Sequence, residues 1–379
     1  MCIGFMADSF NVTPWNVDGK VNYEILERNF GIKPLNQDLL KRIQKHTGTL
    51  HPFIRREIYF GHRELDWLLD MYEKGEKFCL YTGIAPSNKM TIGHLLPFMM
   101  TLWLQQKFDA EVLIQIPDEE KYLAGRRKGA ELDEFHDLAK EAALDIAALG
   151  FDPKKTRIFL DTEYSKTLYK QAVRVARRIT FSTIKDAFGM GNDTNIGMIF
   201  YTSMQAVPSF LKSVEEGKKV PCLIPLGVDQ DVHFRVARDV IEKLGYYKPA
   251  IIHGKFLPGL SGDSKMSASK ENDAVYLDDN EETVRKKINK ALTGQQSTAE
   301  LQREKGGDPD KCMVCQYYKF LFEPDDAKLE QIFEAERKGT ILAGEHKQDL
   351  AKRVNLFLEQ HRKKRNAVNE RIDEFMERD

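Results

Sequence analysis

Short apolar runs alternate along this chain with longer stretches of helical periodicity. Phe78-Cys79-Leu80-Tyr81 is an unbroken apolar run ended by Thr82-Gly83, which predicts a strand buried on both faces. A turn follows through Pro86, Ser87 and Asn88. Leu95, Leu96, Met99, Leu102 and Trp103 then recur at helical spacing from a start near Gly93-His94. Glu111–Ile116 is a second strand, running into Pro117-Asp118-Glu119-Glu120. The helix between the two strands is long enough for a right-handed crossover.

A helix-rich block follows over about 120–212. Leu132, Phe135, Leu138, Ala142, Ile146 and Leu149 mark one helix, with Gly150 capping its end. Arg157–Leu160 is a short strand, and further helices are predicted near 165–178 and 200–211. The alternation then resumes: strand Val220–Pro225, loop Gly227–Gln230, helix Val232–Leu244 stopped at Gly245, strand Ala250–His253. Beyond about 280 the pattern is helical only, over Glu281–Leu292, Tyr317–Phe322, Ala327–Arg337 and Glu345–Met376. Residues 1–70 are mixed. They hold a strand and turn at Val12–Gly19, helices at Tyr23–Phe30, Asp38–His46 and His62–Tyr72, and an apolar run Phe53–Phe60 interrupted by Arg55-Arg56.

These elements predict an α/β protein: a doubly wound parallel, Rossmann-like sheet with a helical insertion, plus an all-α C-terminal domain. The expected divisions are an N-terminal extension 1–70, a catalytic domain 71–279 and a helical domain 280–366. Residues 367–379 would return the last helix to the catalytic body.

Composition adds limits. The 379 residues carry a net charge of −1, so contact with nucleic acid must come from local clusters. Candidates are Arg126-Arg127-Lys128, Arg174 with Arg177-Arg178, Arg285-Lys286-Lys287 with Lys290, and Arg362–Arg365; each alone reads first as a solvated helix face. No apolar run is long enough to span a bilayer, and Met1–Phe5 lacks a basic-then-apolar signal pattern, so a cytoplasmic protein is expected. Five cysteines do not make a disulfide framework. Cys312-x2-Cys315 stands without a second pair or a nearby histidine cluster, which favours two half-buried thiols on a helix over a metal or redox role.

The candidate chemistry lies at the first strand–loop–helix junction. In a parallel sheet this is the carboxyl end of a strand, where ligands bind. Free N–H groups and the positive end of the helix dipole suit phosphate there. Gly93 permits close approach of a ligand, and His94 offers a donor to phosphate oxygen. Downstream, Gly259–Lys270 reads GLSGDSKMSASK, a loop that places the Lys265 cation among Ser264, Ser267 and Ser269. The G-x-G-x-x-G fingerprint and the G-x-x-x-x-G-K-[ST] loop are both absent. Triphosphate would therefore be held between the helix start and the Lys265 loop. Each stretch alone is an ordinary turn; the pair, in this order, is more specific.

Thr91-Ile92-Gly93-His94 and Lys265-Met266-Ser267-Ala268-Ser269 resemble the two signatures of class I aminoacyl-tRNA synthetases. Leu80-Tyr81-Thr82-Gly83, Pro86-Ser87, Gln115 with Asp118–Tyr122, Met204–Phe210 and Val228–Asp231 occur in the same order as in the tryptophanyl-tRNA synthetases of archaea and eukaryotes. The resemblance runs from about residue 10 to the C-terminus. It implies a cytoplasmic homodimer without zinc, paired through the insertion, that uses ATP with Mg²⁺ to activate tryptophan and charge tRNA(Trp). Tyr81, Gln115, Glu120, Gln205 and Gln230 would hold tryptophan. Thr82, Gly83, Thr91, Gly93, His94, Asp229, Lys265, Met266, Ser267 and Ser269 would hold ATP. Lys265, His94 and Ser267 would act in catalysis, and the region after 280 would read the anticodon. Two positions depart from the family pattern: Thr91 replaces the first signature histidine, and Ile84 replaces an arginine, leaving Lys89 as the nearby cation. The rival readings are a tyrosine–tRNA ligase, a small-molecule nucleotidyltransferase, and a synthetase-derived interaction protein.

Overall fold

A computed structural model describes residues 10–12, 17–19 and 21–379; Thr13–Asn16, within the expected first strand and turn, and Met1–Phe5 lie outside these. The strands are β1 (Asn11–Val12), β2 (Val17–Asp18), β3 (Lys33–Pro34), β4 (Tyr59–Arg63), β5 (Cys79–Gly83), β6 (Glu111–Ile116), β7 (Thr156–Leu160), β8 (Cys222–Gly227) and β9 (Ala250–Gly254). β1 and β2 form a small antiparallel pair. The other strands make one sheet in the order β3-β4-β9-β8-β5-β6-β7.

The sheet is parallel from β9 through β7, and the strand order reverses between β5 and β8. This is the doubly wound arrangement, with its ligand crevice at the switch point. β5 and β8 pair only at Cys79↔Cys222 and Leu80↔Leu223, so their carboxyl ends diverge. The apolar runs are explained by burial on both faces. Leu80, Val112, Ile114, Ile158 and Leu223 face one core, together with the helices Leu95–Phe108 and Leu132–Ala147 and the C-terminal helices. Cys79, Tyr81, Leu113, Phe159 and Ile224 face the other, with the helices between residues 165 and 216.

Several boundaries differ from expectation, each for a local reason. Residues 59–63, expected partly in a helix from His62, form β4, which joins the sheet antiparallel between β3 and β9. Its polar end is neutralised: Arg63 Nε and Nη2 reach Asp231 at 2.8 and 2.9 Å, and His253 of β9 lies 2.7 Å from the same carboxylate. Arg157–Leu160, read as a short strand in a helical block, belongs to β7, which pairs with β6 from Val112↔Thr156 to Ile116↔Leu160. The helix expected over 200–211 is two helices, Ile196–Met204 and Pro208–Glu216. Pro208 has no N–H to continue the first helix but suits the first turn of the second. Phe181–Phe188 and Ala299–Lys305 are helices too short to show in the periodicity.

No strand follows β9 among the described residues. The last long helix is Ala343–Asn369, and the chain then returns to the outer edge of β7. There Ile158 donates to the Phe375 carbonyl at 2.7 Å, and Glu377 donates to the Ile158 carbonyl at 2.8 Å.

Candidate active site

A cleft of about 790 Å³ opens where β5 and β8 diverge. Its walls include Tyr81, Thr82 and Gly83 at the end of β5, and Gln115 and Glu120 at and beyond the end of β6. Gln205 comes from the break between two helices, and Asp229 and Gln230 follow β8. Gly93, His94, Lys265, Met266, Ser267 and Ser269 complete the set. Thr91 alone of the expected residues does not line the cleft. It is fully buried, and its N–H donates to His94 Nδ1 at 3.1 Å.

At one end lies a chain of buried polar groups. Tyr81 Oη donates to Gln115 Oε1 at 2.5 Å, and Gln115 Nε2 donates to both oxygens of Asp161 at 3.0 and 2.8 Å. The Gln115 amide is turned with its NH₂ end toward Asp161 and its oxygen toward the Tyr81 hydroxyl. The Tyr81 proton is thereby committed away from the cleft, leaving the phenol oxygen lone pairs free to accept. Burial lifts Asp161 well above the usual carboxylate range, and neighbouring Glu119 adds to this. Burial likewise pushes Glu119 up to about 8, with the Asp118 charge adding to the rise. These acids share little water, and a retained proton relieves their repulsion. Neither was picked out from sequence, although an acidic residue directly after a parallel strand, as Asp161 follows Leu160, is the signal that marks it.

The helix break at Pro208 also serves this end. It frees the Gln205 carbonyl to face Tyr81 Oη at 3.2 Å. Gln205 Oε1 is buried without a hydrogen-bond partner among the described residues. Phe234 closes an apolar side, its ring edge-on to Tyr81 with centroids 5.8 Å apart. Glu120 is buried and its Oε1 pairs with Lys121 Nζ at 2.9 Å. Thr82 ties the two sides of the crevice, its hydroxyl donating to the Pro225 carbonyl at 3.2 Å.

The other end is cationic. Because His94 Nδ1 accepts from Thr91, its remaining proton sits on Nε2. Loss of water lowers the His94 pKa to about 4, with the Lys265 charge second, so the ring is a neutral donor near pH 7. Lys265 Nζ lies 2.5 Å from Asp229 Oδ2 and 4.9 Å from the Phe256 ring centroid. Its loop is latched: the Ala268 carbonyl accepts from Tyr276 Oη at 2.7 Å and from Asn88 Nδ2 at 3.3 Å, while Ser267 and Ser269 hydroxyls are 2.8 Å apart. Gly93 lies beside Met266, where an added Cβ would meet Met266 at an ordinary contact distance of 3.4 Å, so the two signature stretches adjoin here. Ile84 lies on the cleft wall and packs partly against the core. Lys89 pairs with Asp278.

Comparison with known proteins agrees with this geometry. The family described as tRNA synthetases class I (W and Y) matches residues 73–359. The tryptophan–tRNA ligase of Pyrobaculum calidifontis is 43% identical over 370 residues, covering 98% of each chain. That of Sulfolobus acidocaldarius is 46% identical, covering 98% of this chain and 96% of its own. A product-bound parasite tRNA synthetase superposes with a TM-score of 0.89 at 38% identity, over 94% of this chain and 96% of that one. The tryptophanyl-tRNA synthetase of Plasmodium falciparum gives 0.87 at 37% identity, over 94% and 97%. Likeness of this degree over nearly the whole length places the chain in the class I aminoacyl-tRNA synthetase family, within its tryptophanyl branch.

Proposed function

We propose that this chain is a tryptophan–tRNA ligase whose tryptophan site is the Tyr81–Gln115 end of the cleft. One observation carries the assignment of that end: the chain of hydrogen bonds from Asp161 through Gln115 leaves Tyr81 Oη as an acceptor facing the cleft. An indole N–H is a lone donor on an apolar ring, and it needs such an acceptor beside apolar walls. Gln205 Oε1, Glu120 and Gln230 are available to hold the amino group and the rest of the amino acid.

In this reading ATP lies along the His94 and Lys265 side, and Mg²⁺ enters with its phosphates. The tryptophan carboxylate attacks the α-phosphate, the bond to pyrophosphate breaks, and tryptophanyl-adenylate forms. No protein nucleophile is needed, so the chain contributes position and charge. Lys265 leaves Asp229 for the developing charge on the phosphates, and Ser267 supports it. His94 donates from Nε2, while Gly83, Gly93, Met266, Ser269 and Thr82 shape the walls; Thr91 acts through His94. The ribose hydroxyl of tRNA(Trp) then attacks the adenylate and releases AMP. The helices after residue 280 supply the anticodon contact.

A homodimer paired through the insertion is supported by Tyr169, Val173, Phe181 and Ile196. These large apolar side chains are exposed on neighbouring insertion helices, Ile196 to 83%. No helix among the described residues is long and apolar enough to cross a membrane, which fits a cytoplasmic setting. The test is amino-acid-dependent ATP–pyrophosphate exchange. Exchange with tryptophan alone is expected; exchange with tyrosine would overturn the assignment of the pocket, and none in folded protein would overturn catalysis.

A further inference from the structure

A second cluster of chemically competent side chains lies away from the cleft. Cys312 caps the start of the short helix Met313–Tyr317, and Cys315 lies within it. Glu336 sits in the last turn of the helix Asp326–Arg337, and His346 in the first turn of Ala343–Asn369. Each residue offers one ligand atom, and these four atoms all lie within 4.8 Å of one another. The four side chains are sealed from solvent, at 0, 0, 0 and 2% exposure in that order. None of them lines the cleft.

From this we infer that Cys312, Cys315, Glu336 and His346 form a closed structural site for a divalent zinc ion, which ties three helices of the C-terminal region to one point. The donor set supports zinc. Two thiolates, an imidazole and a carboxylate are the ligand types zinc takes in four-coordinate sites, whereas calcium and magnesium call for oxygen alone. Zinc bonds of about 2.0–2.3 Å place tetrahedral ligand atoms roughly 3.3–3.8 Å apart, so the observed spread needs only a small contraction.

One further observation points inward. Glu336 Oε1 is buried with no hydrogen-bond partner among the described residues, which is costly unless something fills the gap. His346 Nδ1 is the ring nitrogen on the Glu336 side, 3.2 Å from Oε2, and Oε2 also accepts from Gln295 Nε2 at 2.7 Å. The His346 ring stacks on Tyr318, with centroids 5.2 Å apart and planes 19° from parallel. Supporting contacts of this kind hold metal ligands in place in other proteins. On binding, each thiol gives its proton to solvent and forms a sulfur–zinc bond, and nothing is oxidised or reduced. The structure buries both thiols fully where half-buried ones were expected, and a zinc ion held here would run against the zinc-free expectation. The third and fourth ligands come from later helices that spacing alone does not connect.

The test is metal analysis of the full chain purified without chelators from zinc-supplemented cells, followed by stripping and titration with cobalt(II). About one zinc per chain is expected, with the thiolate-to-cobalt charge-transfer bands of a tetrahedral site on titration. Cys315→Ser should lose zinc and the sulfur bands. Should that variant not fold, His346→Gln and the stripped wild-type protein provide the same readout. Tryptophan-dependent pyrophosphate exchange by folded His346→Gln should match wild type, because the cluster is outside the cleft. Folded, active protein with neither zinc nor cobalt–thiolate bands would overturn the site, as would intact mass showing a Cys312–Cys315 disulfide.

Discussion

Asp161 decides which atom Tyr81 presents to the cleft, although Asp161 is absent from the cleft wall. Replacing it with alanine leaves Gln115 Nε2 buried and unpaired, at a cost of about 1–3 kcal/mol. Asp161→Ala should therefore raise the Michaelis constant for tryptophan roughly tenfold to a hundredfold and leave that for ATP near wild type. An unchanged tryptophan constant in the folded variant would remove Asp161 from recognition. At the opposite end, Lys265→Ala should lower the exchange rate constant by about 10²–10³ with little change in tryptophan affinity. Equal losses in both would contradict a role confined to the transition state. The Lys265 loop stands out from its own residues, and resemblance to the tryptophanyl-tRNA synthetases brings Tyr81, Gln115 and Gln205 into view from the sequence. Asp161 escapes it because its contact depends on strand register: Gln115 pairs with Phe159, and Asp161 lies two residues on, on the same side of the sheet.

Elements were legible where periodicity was long and local. Glu111–Ile116 and Tyr23–Phe30 match the expected bounds residue for residue. β4 was hidden because His62 and Arg63 read as polar, and the Arg63 charge is met by Asp231, far along the chain. The C-terminal return was legible as a tendency, but its attachment to β7 depends on backbone pairing that side-chain patterns do not encode. Phe375 is buried at that attachment, 6% exposed, beside the Ile158 bridge. Phe375→Ala should cost about 3 kcal/mol, read as a lower denaturant midpoint with unchanged exchange activity per folded molecule. A midpoint equal to wild type would mean that the return contributes nothing to the body of the protein.

Across the whole molecule, acid and base act on different buried groups. Burial lowers His51, His62 and His94 to about 4 and His233 to about 3. The unfolded chain binds these protons near the ordinary histidine value of 6.5, so stability falls as pH drops through that window. Glu119 runs the other way. Raised from 4.5 to about 8, it holds a proton that the unfolded chain releases, so stability falls as pH rises between those values. The histidines outnumber the carboxyl below 6.5, which sets the expected maximum of the melting temperature near that pH. A profile rising steadily to pH 8 would show that the acid cluster is ionised in the fold. The narrow seam between β5 and β8 has its own consequence. Only two register pairs join β5 to β8, with the Thr82 hydroxyl on the Pro225 carbonyl beside them; the Tyr81 relay lies on the β5 side of this seam, and Asp229 and Lys265 on the β8 side. A nucleotide lying across the gap becomes the mortar between them. If that nucleotide orders both sides, tryptophan need not bear that entropy, and the two substrates should bind with positive cooperativity, read as a lower tryptophan Kd in the presence of a non-hydrolysable ATP analogue.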